Sequence, residues 1–125
     1  MHAADLFAPR EITPQAVLDV LSGCVGEAHG INAADLASAI TRRRAAADLR
    51  RLRSVIEALR SQGHRICGHP AHGYWLAAND DELNQSCAFL FERAMTSLRQ
   101  IGAMKRVALP DLAGQLGLPL RSTKP

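Results

Sequence analysis

Aromatic residues are scarce: one Trp, one Tyr and three Phe make up 4% of the 125 residues. A β-rich core draws on aromatic and β-branched side chains, so the shortage disfavours one. Cysteine is sparse as well. Cys24, Cys67 and Cys87 are odd in number and show no CxxC spacing. They imply no disulfide framework, and a reducing, cytoplasmic compartment fits them. No apolar run approaches the roughly 20 residues of a membrane span. Met1-His2-Ala3-Ala4-Asp5 lacks the basic start and apolar stretch of a signal peptide. A cytoplasmic protein without a membrane partner is the expectation. There is no phosphate-cradling GxxxxGK loop, the acids form no recognisable pair, and no Cys–His or Ser–His pairing has a motif behind it. Neither an enzyme nor a cofactor is expected.

Ala, Leu and Arg are what the chain has in quantity, with 47% hydrophobic and 22% charged residues. That balance describes a globular, helix-rich chain. Its length suits one ordinary core, or a small domain with one appended element. The net charge is only +3, but it is unevenly spread. Between Arg42 and Arg65 stand eight arginines (42, 43, 44, 50, 51, 53, 60, 65) against two acids, Asp48 and Glu57. The segment therefore carries +6 and the rest of the chain −3. Such a block suggests a polyanionic partner; a merely solvated helix face is the plain alternative.

Residues 1–12 hold Pro9 and no sustained period, which predicts a loose N-terminal arm. Thr13-Pro14 opens a helix, with Thr as N-cap and Pro at the first position, and Gly23 or Gly26 ends it. Gly30-Ile31-Asn32 is a short extended link. Asn32 caps a second helix, Ala33–Ile40. Residues 41–47 form a basic connection longer than a tight turn. From Asp48 to Gln62, the spacing of Leu49, Leu52, Val55, Ile56 and Leu59 predicts a third helix with one buried stripe, stopped by Gly63. His64–Cys67 and Tyr74–Ala77, around a Gly- and Pro-containing tip, predict a hairpin. Asn79 and Glu82 have the spacing of a capping box, and the helix behind them runs to about Lys105, roughly 40 Å at ~1.5 Å per residue. Residues 108–125 make a tail with one possible short helix.

This order of elements resembles the winged helix-turn-helix superfamily, and small phage or prophage proteins of that kind in particular. Three stretches carry the resemblance: Gly30-Ile31-Asn32-Ala33-Ala34-Asp35-Leu36-Ala37, Leu49 through Arg60, and Gln62–Cys67 with Gly73–Ala77. It covers residues 13–77. It implies three helices and a β-hairpin wing in a domain spanning 13–78; with the long C-terminal helix read from spacing, over 79–107, the expected fold is mostly α. By analogy it implies double-stranded DNA as partner. Transcriptional regulation is the first role to expect, a replication or recombination accessory the second, and a protein-interaction module without DNA binding the rival from another class.

A recognition helix buries one side and offers the other to the major groove. Opposite the apolar stripe of the third helix lie Arg50, Ser54, Glu57 and Ser61, flanked by Arg51 and Arg53. Arginine reads guanine edges or grips phosphates, serine reaches either, and Glu57 accepts from a cytosine amine or orients a neighbouring arginine. Arg42, Arg43 and Arg44 stand where flanking phosphates would be and add sequence-independent affinity. His69 and His72, at the hairpin tip, are either backbone or minor-groove contacts or simply polar loop residues. Tyr74 and Trp75 suggest base stacking, but strand alternation favours packing, with one in the core and the other partly exposed. Cys67, His69 and His72 fall within six residues, yet zinc wants a fourth ligand and none is near; no metal is expected.

The last helix carries Leu83, Cys87, Leu90, Phe91, Ala94, Leu98 and Ile101 mostly three or four apart. Such a stripe buries against its own domain or against a second copy. A homodimer through this helix suits two joined heads reading a two-fold site.

Overall fold

The structure, a computed structural model, describes residues 10–106 and Asp111. The chain is mostly helical, with one small antiparallel sheet and a long C-terminal helix. In order come α1 (Pro14–Leu21), a 3₁₀ turn (Glu27–His29), α2 (Ala33–Thr41), α3 (Ala46–Ser61), β1 (Ile66–His69), β2 (Gly73–Leu76) and α4 (Asp80–Lys105). It divides into two compact units, Met1–Cys87 and Ala88–Pro125.

The helix starts follow from their caps. Thr13 Oγ1 accepts from the Ala16 amide at 3.1 Å, and Asn32 Oδ1 from that of Asp35 at 2.8 Å. Each satisfies a donor that the first turn leaves without an intrahelical partner. One core then joins α1, α2 and α3: Val17 and Leu21, Leu36 and Ile40, and Leu52, Val55, Ile56 and Leu59 are all buried. Ile66 of β1 closes it.

Ile12 is buried as well, at 3% exposure, so the expected arm over 1–12 needs correction: its end belongs to the core. An isoleucine without helical neighbours carries no periodic signal, which is why it escapes pattern reading. The hairpin also shifts. Its strands extend inward to His69 and Gly73, leaving only Pro70–His72 as the tip. Register pairs Cys67 with Trp75 and Gly68 with Tyr74. Trp75 is buried and Tyr74 half-buried, as alternation across a strand requires.

The link before α2 is stitched to this hairpin. Ile31 and Tyr74 exchange amide-to-carbonyl hydrogen bonds of 2.9 and 2.7 Å, and Leu76 pairs similarly with Cys24 and Gly26. The approach is too close for side chains. A Cβ on Gly73, at φ +77°, would lie 2.2 Å from the Ile31 oxygen, and one on Gly30 2.1 Å from that of His72. Only glycine fits either place.

Candidate nucleic-acid interface

The third helix begins two residues before the expected Asp48. The connection between α2 and α3 is Arg42–Ala45, four residues, not the longer link over 41–47. Ala46 and Ala47 are exposed and show no periodicity, so the first turn has no apolar pattern to reveal it. Arg42 ends α2 in the left-handed conformation, φ 60°.

The turn is held by side chains. Arg43 donates two parallel hydrogen bonds to the Asp48 carboxylate, 3.0 and 2.9 Å, and Thr41 Oγ1 donates to the Ala37 carbonyl at 3.0 Å. Asp48, buried in the first turn of α3, lies near the positive end of the helix. The Arg43 guanidinium holds its carboxyl below the usual range. Arg44 pairs with Asp35 at 2.8 Å and lowers that carboxyl similarly. Two of the three arginines expected as simple phosphate contacts thus already hold acidic partners. Their side chains remain about 60% exposed, and a guanidinium has five N–H donors, so neither is consumed.

On α3, Leu52, Val55, Ile56 and Leu59 face inward, while Arg50, Arg51, Arg53, Ser54, Glu57 and Ser61 are exposed. At ~100° per residue, Arg50 and Ser61 sit near the centre of the outer face, Ser54 and Glu57 beside them, and Arg51 and Arg53 at opposite edges. Arg51 also braces the fold, its Nε donating to the Ile12 carbonyl at 3.3 Å. Arg42, Arg50 and Arg53 make no side-chain hydrogen bond or ion pair among the described residues. Arg60 lies on the inner flank, its Nε on the Ile66 carbonyl at 2.8 Å and its guanidinium 5.9 Å from the Tyr74 ring centre. Nothing in the sequence announces that tie between α3 and the hairpin; a basic block gives no hint of which arginine serves packing.

His69 and His72 stand together at the hairpin tip, ring centres 5.5 Å apart. His72 Nε2 lies 3.9 Å from Glu27 Oε1, and its ring meets Trp75 edge-on. Cys67 is buried with its sulfur 3.7 Å from the Glu82 carbonyl, and burial pushes its thiol up. Among the described residues no three His, Cys, Asp or Glu side chains converge as metal ligands.

Glu82 does more than the sequence suggests. Asn79 Oδ1 accepts from the Glu82 amide at 2.9 Å, completing half of the capping box. The Glu82 carboxylate, however, accepts from Ala78 N at 3.1 Å, from Glu27 N at 3.1 Å and from Trp75 Nε1 at 3.2 Å. These donors hold its carboxyl below the ordinary value, the amide of Ala78 first. Ser86 Oγ accepts from Gly68 N at 3.1 Å. The first two turns of α4 therefore belong to the compact unit ending at Cys87. Leu83 and Cys87, expected at a dimer interface, lie in this first unit, half-buried and exposed respectively.

In the second unit, Leu90 is 41% exposed, Phe91 63% and Met104 77%. Ala94 is exposed, Leu98 and Ile101 half-buried. The expected tail over 108–125 lies outside the described residues, Asp111 apart. No described helix is long and apolar enough to cross a membrane. Comparison with protein-family models, with curated proteins and with solved structures finds no match.

Proposed function

We propose that the chain is a winged helix-turn-helix protein that binds duplex DNA through the outer face of α3. One observation carries the reading: α3 is packed along one side and offers Arg50, Arg53 and Ser54 on the other, behind a four-residue turn held by Arg43 and Asp48. A helix-turn-helix uses a turn of this length, with the second helix presented to the major groove. Arg50 is the base reader, and Arg42 and Arg53 grip phosphates. The hairpin is a short wing, and His69 and His72 at its tip are its nearest contacts to a DNA backbone. Transcriptional regulation, of the phage or prophage kind, is the role we attach to it.

Two copies join through the apolar side of α4, where Leu90, Phe91, Ala94, Leu98 and Ile101 follow one another. Selection from a random duplex pool tests the whole reading. Recovery of a two-fold sequence supports it; recovery of none removes it. One observation favours a second reading: Arg43, Arg44 and Arg65 are already ion-paired, with Asp48, Asp35 and Asp80. The charge open to a polyanion is thus smaller than the count of arginines, and the same surface would suit a protein-interaction module.

A further inference from the structure

Where α2 and α3 meet at their turn, the surface dips into an open depression of about 250 Å³. Its lining is Ala34 and Ala37 from α2, Ala45 and Ala46 at the start of α3, and Leu49 one turn on. Arg43 and Arg44 complete the wall, each exposed over roughly 60% of its side chain. Apolar side chains thus form the floor and two guanidinium groups the edge. Ala46 belongs both to this depression and to the outer face of α3, and Arg50 stands one turn further along that face.

We propose that this depression reads the C5-methyl group of a thymine in the major groove. The inference rests on the DNA-binding reading above and adds what the start of α3 recognises. Thymine is the one base whose major-groove edge carries a methyl group, and alanine is among the side chains that contact it. A methyl group is small enough to enter the depression. The hydrogen-bond donors at the edge fit the same occupant. Asp48 takes two of the donors of Arg43 and Asp35 one of those of Arg44. The rest meet the phosphates beside the base. The site therefore pairs a thymine, at the helix start, with a guanine read by Arg50.

The test uses the full chain and the duplex it selects from a random pool, with each thymine replaced in turn by deoxyuridine, which removes only the methyl. One thymine per half-site should prove sensitive. A buried methyl contributes about 0.8 kcal/mol, so its loss weakens binding about four-fold. Ala34→Gln fills the depression with a polar side chain and should bind thymine and uracil duplexes equally. Circular dichroism confirms that the variant is folded, and the uracil series on the unaltered chain needs no variant. The proposal is overturned if no uracil replacement changes affinity, if the selected site lacks thymine, or if Ala34→Gln keeps the four-fold preference. Failure to select any duplex sinks the DNA-binding reading itself, a result distinct from a selected duplex indifferent to its methyl groups.

Discussion

Arg50 and Arg51 are adjacent, yet the structure gives them different work. Arg50 stands on the outer face, while Arg51 donates to the Ile12 carbonyl and fastens the chain before α1 to α3. Arg50→Ala should weaken duplex binding while thermal stability stays within about 0.5 kcal/mol, the usual range for a surface change. Arg51→Ala should lower the melting temperature as well. Melting curves and binding isotherms on both variants check the split; equal behaviour contradicts it. Glu82 gives a pH prediction. Its carboxyl titrates below its ordinary value of 4.5 in the folded chain. The stability it contributes is therefore present above that pH and lost as acidification protonates it. Glu82→Gln should melt lower than the parent at neutral pH, and the gap should close in acid. A gap independent of pH would rule out the carboxylate as its cause.

Among the elements, those set by local chemistry were legible and those set across the fold were not. Thr13, Asn32 and Asn79 announce helix starts because a capping side chain acts within three residues of its own position. The stripe from Leu49 to Leu59 shows α3 because burial repeats with the helical period. The start of α3 is hidden: Ala45, Ala46 and Ala47 have no period, and the Arg43–Asp48 pair that fixes the turn spans two elements. Counting arginines revealed a basic block but not which were already paired, since Asp35 and Asp48 meet them only after folding. The partners of Glu82 are equally invisible, Glu27 lying 55 positions away. Packing gives the prediction at this scale. Leu52, 1% exposed, sits at the middle of α3 within the core. Leu52→Ala should cost about 2–5 kcal/mol in chemical denaturation. A loss well below 1 kcal/mol would mean that the three helices do not share the core described.

For the whole molecule, the unit ending at Cys87 holds the outer face of α3 and the unit beginning at Ala88 the exposed Leu90 and Phe91. Charged residues at Leu90 and Leu98 should convert a dimer into folded monomers, since burying an unpaired charge costs several kcal/mol as an order of magnitude. Light scattering reads the mass directly. A parent chain that is monomeric at high concentration would end the dimer proposal and leave the DNA-binding proposal untouched. DNA binding itself is decided by the salt dependence of affinity for random duplex. Each phosphate contact contributes a slope of about −0.9 in log affinity against log salt. Two contacts in one reading head, Arg42 and Arg53, should cost roughly twelve-fold between 50 and 200 mM salt, and two joined heads more. Arg42→Ala or Arg53→Ala should each flatten the slope by about 0.9. Duplex affinity that is absent at low salt, or present and insensitive to salt, contradicts the account.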